Sequence, residues 1–438
     1  MRRAALAAAD PGLAVRRWLT PADWASAKHV YLVGAGKAGV PMAAAAAHLL
    51  GDRLTAGLVV VPHKPDTSPP AAPKTPIPGL DHPRLSFVEG GHPHPTQGSL
   101  DAGLAIAALL EATQPGDLVI AVISGGGSAL LELPYPGLSL DDLQATTDLL
   151  LKSGAVITEI NLIRARLSRI KGGGLARLAA PARVLGLILS DVVGNQLASV
   201  ASGPTVARTA NPATALAVVE RYHLGGQLPP PVLARLTQPA TGGLAALPVV
   251  ENRLVGSNKQ AGEAAAGEAL ALGFEARWLA DDWQGEAREM GRAFAALLTG
   301  PQEGLAQTRL ATGRLPPLPG EAPRPRCIVV GGETTVTVRG KGRGGRNQEA
   351  ALAAALTLAG LPSVVVATLA TDGVDGPTDA AGAIVTGETI SRAGSLGLSA
   401  PTYLDENNAY AFLAGVGALL YTGPTGTNVN DLWIGLVY

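Results

Sequence analysis

The sequence predicts an α/β protein of two domains, with a parallel sheet in the N-terminal one. Three observations predict it. Short β-branched runs end in glycine-rich turns and lead into alanine-rich helical stretches, the alternation of parallel βαβ units. The runs are apolar without a break, as in strands buried on both faces. The chain, at 438 residues with 47% apolar, exceeds what one hydrophobic core usually organises.

Taken in order, strands of one sheet are expected at 29–33, 58–61, 118–123 and 184–189. A Pro-rich tract at 62–83 reads as a long surface loop, a lid or an insertion. Residues 211–237 turn helical. The stretch 238–248, with Gly242, Gly243 and two prolines, reads as a linker, so the domains are placed at 1–240 and 241–438. Beyond it a strand at 253–256 is followed by a helix that Ser257 caps and Gly273 stops, then by a strand at 274–279. After a second Pro-rich break at 313–325, strands are expected at 327–330, 334–338 and 364–369, with a helix at 347–358.

Composition narrows the function. A net charge of −1, with no Lys/Arg run interleaved with aromatics, argues against nucleic acid as a partner and for a small molecule. The single cysteine, Cys327, excludes an intramolecular disulfide, fits a reducing compartment and reads as a buried strand-edge residue. Arg2 and Arg3 precede an Ala/Leu stretch that Asp10, Pro11 and Gly12 cut below signal-peptide length. No apolar run reaches the roughly 18 residues of a membrane span. The expectation is a soluble cytoplasmic protein with no membrane partner.

Candidate chemistry begins at Gly34-Ala35-Gly36-Lys37-Ala38-Gly39, a glycine fingerprint between a strand and a helix. Gly34, Gly36 and Gly39 allow close backbone approach to a pyrophosphate, which a helix N-terminus favours. A dinucleotide site wants an acid about twenty residues on. Here Pro62, His63 and Lys64 stand near the end of the second strand, which disfavours NAD. Lys37, a cation at a helix start, is favourable only beside bound negative charge. Ser124-Gly125-Gly126-Gly127-Ser128 forms a nest of backbone N–H groups at a strand end, suited to phosphate oxygens. Asn161, Arg164, Ser168 and Lys171 recur at helical spacing and are expected on one face, a binding surface or a solvated one.

Asp191 follows the strand at 184–189 and is placed to hold Mg²⁺ or act as a base. In the C-terminal half, the run from Arg339 through Lys341 and Arg343 to Arg346 and Asn347 holds four cations on a mobile glycine backbone that leads into a helix. Such a loop closes over an anionic substrate and brings an arginine to a transferring phosphoryl group. Asp372 and Asp375 lie in an acidic turn that is no EF-hand and offers carboxylates to magnesium. His92 and His94 flank Pro93 without the further donors zinc needs, so a structural turn is expected there.

In this order, these segments resemble the glycerate 2-kinase family with its C-terminal MOFRL domain, over nearly the whole chain. The carriers are 34–39, Gly91-His92-Pro93, 124–130, 161–173, 189–192, 201–205, Gly331-Gly332-Glu333-Thr334-Thr335-Val336, 339–349, 371–381 and 422–432. The resemblance implies transfer of the ATP γ-phosphoryl group to the 2-hydroxyl of D-glycerate, with a divalent metal such as Mg²⁺. It also implies a Rossmann-like N-terminal domain, a smaller α/β C-terminal domain and an active site in the cleft between them, in a monomer or homodimer. Lys37 and Arg346 match the family's basic residues at the reacting centre, Lys37 for phosphoryl charge and Arg346 for the glycerate carboxylate or the same charge. With Asp191 they form the expected catalytic set. Lys171 joins Gly34, Gly36, Gly39 and residues 124–128 on the phosphates, and Asn161, Arg164, Arg343 and Asn347 face the substrate.

Three positions depart from the family pattern. Asn195 stands where a second acid is usual after Asp191, Ala165 interrupts a basic triplet at 164–166, and Thr96 replaces an acid after the His-Pro turn. They bear on metal preference and substrate detail. The alternative activity is an NAD(P)H-dependent hydroxypyruvate or tartronate semialdehyde reductase, with Lys64 reading a 2′-phosphate, but no clear hydride-transfer site accompanies it.

Overall fold

A computed structural model describes residues 1–62, 79–207, 211–238, 248–299 and 325–438. The chain forms two compact units, Pro11–Val255 and a second that joins Met1–Asp10 to Gly256–Tyr438.

The first unit is built on β1 (Val30–Ala35), β2 (Leu54–Val61), β3 (Leu85–Glu89), β4 (Leu118–Ile123), β5 (Arg183–Leu189) and β6 (Val250–Gly256), in the order β3-β2-β1-β4-β5-β6. β1 pairs in parallel with β2 and β4, β2 with β3, and β4 with β5. Every residue of β4 is buried, which its uninterrupted apolar run requires of a central strand covered on both faces. This is the doubly wound order, whose direction reverses between β1 and β4, and such sheets bind ligands outside the carboxyl ends of the strands at that switch.

The four strands expected in this sheet are β1, β2, β4 and β5. The strand expected at 253–256 forms, but as β6 on the edge of this sheet rather than as the start of the second, and beside it Val184 N–H donates to Val249 O at 2.9 Å. The linker at 238–248 and the Pro-rich tracts at 62–83 and 313–325 lie largely outside the described residues.

The second unit carries β7 (Glu275–Trp283), β8 (Arg326–Gly332), β9 (Val364–Ala370), β10 (Gly382–Thr386), β11 (Leu419–Leu420) and β12 (Asp431–Val437), in the order β11-β10-β9-β12-β8-β7. β7 and β8 run parallel; β12 lies between β8 and β9, antiparallel to both. Trp283, Phe294 and Trp433 pack edge to face at centroid distances of 5.9–6.4 Å. The N-terminal Ala/Leu stretch belongs to this core. It forms the helix Arg2–Ala8, Ala5 and Ala9 are fully buried, and Thr427 Oγ1 donates to Ala9 O at 2.7 Å.

The helix expected at 258–272 is Asn258–Ala271, with Ser257 Oγ accepting the Gln260 N–H at 3.3 Å. The strand expected at 334–338 is absent. Only Thr335 bridges to Glu286, whose carboxylate accepts the Thr337 N–H at 3.0 Å in place of a neighbouring strand. Helix Arg346–Leu358 is buried from residue 347 through 355, so the position of Arg346 at its start is fixed by the core. No described helix is long and apolar enough to cross a membrane.

Candidate active site

At the switch point of the first sheet the loops after β1 and β4 are laced together. Ser124 N–H donates to Ala35 O at 3.1 Å, Lys37 N–H to Gly125 O at 2.9 Å, and Ala38 N–H to Ser124 Oγ at 3.1 Å. The approach is close enough that a Cβ on Gly36 would lie 2.0 Å from Ser124 Oγ. Gly126 adopts φ 80°, in the left-handed region that glycine enters freely. A Cβ there would stand 3.0 Å from His92 Cδ2 and 3.2 Å from Lys37 Cγ, and one on Gly125 would stand 1.8 Å from Asp191 Oδ2. Lys37, His92, residues 124–128 and Asp191 therefore converge on one crevice, formed at the carboxyl ends of β1, β4 and β5.

His92 lies in a bend before Pro93, as the turn reading expects, and it also sits beside Lys37. Desolvation, and then the Lys37 charge, hold its imidazole below the usual histidine range. The Gly-His-Pro turn was visible in the sequence; its neighbour across the fold was not.

The single helical face expected for 161–171 does not form, because helix Ile157–Leu167 ends at Leu167 and Ser168 is extended. Lys171, expected on phosphate, is buried and ion-paired with Glu132, a residue the sequence did not single out. Burial pulls its ammonium pKa down while Glu132 opposes. Asn161, expected on substrate, is also buried, and its Oδ1 accepts the Ser202 hydroxyl at 2.8 Å. Ser202 Oγ is in turn 2.8 Å from Ser128 Oγ. Ala201, Ser202 and Gly203 all have positive φ, at 49°, 60° and 63°, and strain of this kind in non-glycine residues collects at functional sites. Arg164 stays half-buried, with no hydrogen-bond partner among the described residues. Burial lowers its pKa, with Glu132 opposing.

Of the departures from the family pattern, Thr96 has a plain local role as N-cap of helix Gln97–Glu111. Arg166, next to Ala165, is buried with its guanidinium donating to Leu236 O at 3.1 Å and to Gln238 O.

In the second unit Arg346 is held by two acids. Nε and Nη2 donate to Asp431 at 2.6 and 3.1 Å, and Nη1 donates to Glu333 Oε1 at 2.8 Å. The basic loop 339–345 is hydrogen-bonded to Asn407 and Asn408. Asn407 Oδ1 accepts the Arg339 and Gly340 N–H groups at 2.7 and 2.9 Å, and Asn408 Oδ1 accepts that of Arg343 at 3.1 Å. Arg343 lies over the Tyr410 ring, 4.7 Å from its centroid, and donates to Pro377 O at 2.8 Å. Asn347 is fully buried; its Nδ2 donates to Asp375 at 3.2 Å and its Oδ1 accepts the Trp433 indole N–H at 2.9 Å, so it braces the helix rather than facing a ligand.

Asp375, expected on metal, caps that helix. Its two oxygens accept the N–H groups of Asn347 and Gln348 at 3.0 and 2.8 Å. Burial pushes its carboxyl up to about 7 against those hydrogen bonds. Asp372 closes its own turn, accepting the Val374 N–H at 3.0 Å. Among the described residues no group of three or more His, Cys, Asp or Glu side chains forms a metal cage.

Known proteins are similar to this chain over most of its length. A family model described as a domain of unknown function (DUF4147) matches residues 1–237, and one described as the MOFRL family matches residues 326–431. The D-glycerate 2-kinase of Thermotoga maritima is 39% identical over 408 residues, spanning 93% of this chain and 90% of that one. This chain belongs to the glycerate kinase family. The crystal structure of a glycerate kinase from Thermotoga maritima superposes with a TM-score of 0.84 at 38% identity, covering 100% of this chain and 97% of that one. A family member from Agrobacterium vitis, 40% identical over 435 residues and spanning 98% of this chain and 91% of that one, carries the name putative hydroxypyruvate reductase.

Proposed function

We propose that this glycerate kinase homologue transfers the γ-phosphoryl group of ATP to the 2-hydroxyl of D-glycerate, releasing ADP and 2-phosphoglycerate. The observation that carries the reading is the near full-length match to a D-glycerate 2-kinase, with Lys37 and a three-glycine loop together at the switch point of a doubly wound sheet. Phosphoryl transfer asks a protein mainly for positioning and for positive charge around the transferring group.

In this reading the N–H groups of residues 124–128 and the helix start after Gly36 hold phosphate oxygens, and Lys37 meets the γ-phosphoryl charge. Arg346 adds a guanidinium whose plane Asp431 fixes, and Arg343 stands on the pinned loop beside it. Lys171 and Asn161 act from behind, Lys171 by neutralising Glu132 and Asn161 by holding Ser202.

Mg²⁺ fits as an ion carried on the nucleotide, because such ions are usually held by one or two carboxylates plus substrate phosphates rather than by a protein cage. Asp191, in the crevice beside residues 124–128, is the carboxylate offered to it, and its charge would neutralise phosphate oxygens there. Cytoplasmic localisation, with which the single free Cys327 agrees, and a monomer or homodimer go with this reading.

The name carried by the Agrobacterium vitis relative favours a reductase. Against it, β2 ends without an acid to hold an NAD ribose. One pair of assays separates the two: D-glycerate, Mg²⁺ and ATP with ADP as readout, and hydroxypyruvate with NADPH. The kinase reading expects glycerate-dependent ADP; NADPH oxidation without ADP would sink it.

A further inference from the structure

Arg339, Lys341 and Arg343 are all exposed on the basic loop, and among the described residues neither Arg339 nor Lys341 has an acid partner. Like charges on one short loop repel, so the backbone beneath them has to be held. The glycines between the cations lie directly on residues 406–408: a Cβ on Gly340 would stand 2.3 Å from Glu406 O, and one on Gly342 2.4 Å from Asn408 Cβ.

Asn407 holds this backbone with every hydrogen bond that its side chain can make. Oδ1 accepts the Arg339 and Gly340 N–H groups at 2.7 and 2.9 Å, while Nδ2 donates to Thr337 O at 3.3 Å and to Glu349 Oε2 at 2.9 Å. The partners fix which way the amide faces, because backbone N–H groups only donate and a carbonyl and a carboxylate only accept. Glu349 is buried in the first turn of the helix that begins at Arg346, and its other oxygen accepts Arg288 Nε at 2.8 Å. One amide thus ties the entry of the loop to the helix that carries Arg346, and the charged acceptor strengthens the tie.

The local turn does not explain this side chain. Asn407 follows helix Ala400–Asp405 at φ 51°, a left-handed position just past a helix end that glycine fills as well.

We propose that Asn407 is a positioning residue for phosphoryl transfer: through Glu349 it holds the loop cations and Arg346 in one fixed relation, so that they meet the same anion together. The proposal rests on the kinase reading for the reaction that these cations serve.

Glycerate-dependent ADP release tests it, with urea melts showing that each variant is folded under assay conditions. Asn407→Asp keeps the shape and the acceptor for the loop but turns an oxygen toward Glu349. Its kcat should fall about 10- to 100-fold at pH 8, as misplaced charge does, and less at pH 6, where the introduced carboxyl and Glu349 share a proton. Combining Asn407→Asp with Glu349→Gln reverses donor and acceptor across the same bond, leaves Arg288 its acceptor, and should recover most of the loss together with the pH dependence of wild type. Wild type without glycerate-dependent ADP would remove the kinase reading, and with it the role given to the loop. Turnover in wild type with Asn407→Asp equally fast contradicts the positioning role alone, and a double variant no faster than Asn407→Asp contradicts the coupling through Glu349.

Asn407→Gly, which φ 51° accommodates without strain, covers an Asn407→Asp chain that does not fold. It should lose kcat in the same range, and wild-type turnover would overturn the proposal. In the unaltered chain, hydrogen exchange should find the Arg339 and Gly340 amides slowed about tenfold or more below free-chain rates although their loop is exposed. Free-chain exchange at both would overturn the hold by Asn407.

Discussion

Arg346 lies edge-on against Asp431, Nε 2.6 Å from Oδ2 and Nη2 3.1 Å from Oδ1, which fixes the plane of the guanidinium at the start of a buried helix. Its third contact, to Glu333, is made on the exposed side. The two acids are therefore unequal. Asp431→Asn should lower stability by about 1–3 kcal/mol, because a buried charged hydrogen-bond pair loses its charge, and should lower kcat about 10- to 100-fold as the arginine plane loosens. Glu333→Gln should change stability by less than about 1 kcal/mol, as exposed ion pairs do. Urea melts and steady-state kinetics of the two variants check this, and equal effects would remove the distinction.

Lys37 and His92 meet over Gly126, and their coupling is measurable. Lys37→Ala should reduce turnover by orders of magnitude with an unchanged circular dichroism spectrum, since a cation at the reacting phosphoryl group is lost. It should also raise the His92 pKa toward the ordinary value, because the charge that disfavours the imidazolium is gone. Proton NMR titration reads the second effect. A His92 pKa that does not move would mean that Lys37 is not its neighbour in solution.

Asp375 makes stability depend on pH in a stated direction. Its folded carboxyl titrates at about 7 against 3.8 when unfolded. Between those values the folded state holds a proton that the unfolded state lacks, so stability falls as pH rises from about 4 to 7 and levels above. One proton corresponds to a limiting slope of about 1.4 kcal/mol per pH unit. Comparing the urea-derived stability of wild type and Asp375→Asn from pH 4.5 to 8 isolates the contribution. The variant, whatever its absolute stability, should lose that slope; an unchanged slope assigns it to other groups.

Ser128, Ser202 and Asn161 form one relay, so their deletions should not add. Ser202→Ala leaves Asn161 Oδ1 without its donor in a buried setting and should cost about 1–3 kcal/mol of stability. Adding Ser128→Ala to Ser202→Ala should cost less stability than Ser128→Ala does in wild type, a coupling that a double-mutant cycle reads directly. Additive effects would break the relay into two independent contacts.

The alternation of apolar runs and glycine turns made the first sheet legible, because strands buried on both faces leave an unbroken apolar signature such as that of β4. β6 was assigned to the wrong sheet because pairing partners are long-range, and nothing in Arg253-Leu254-Val255 states which neighbour it will find. The strand expected at 334–338 failed for a related reason: its residues have β character, but a Glu286 carboxylate occupies the place of a partner. Near the switch point, the positions of Lys37 and the glycine loop at strand ends were readable because glycine runs after apolar strands mark the local sequence. Lys171, Asn161, Asn347 and Asp375 were singled out by residue type and placed facing ligands. Burial instead turned them to Glu132, Ser202, Trp433 and a helix N-terminus, and burial is set by the fold rather than by spacing. His92 was read only as part of a turn because its neighbour across the fold, Lys37, is distant in sequence.

The most direct test of phosphoryl transfer to the 2-hydroxyl is to incubate the protein with D-glycerate, ATP and Mg²⁺ and identify the product by phosphorus NMR. The account predicts 2-phosphoglycerate accumulating in step with ADP. A 3-phosphoglycerate product, or no phosphorylated glycerate while ATP is present in excess, would contradict it.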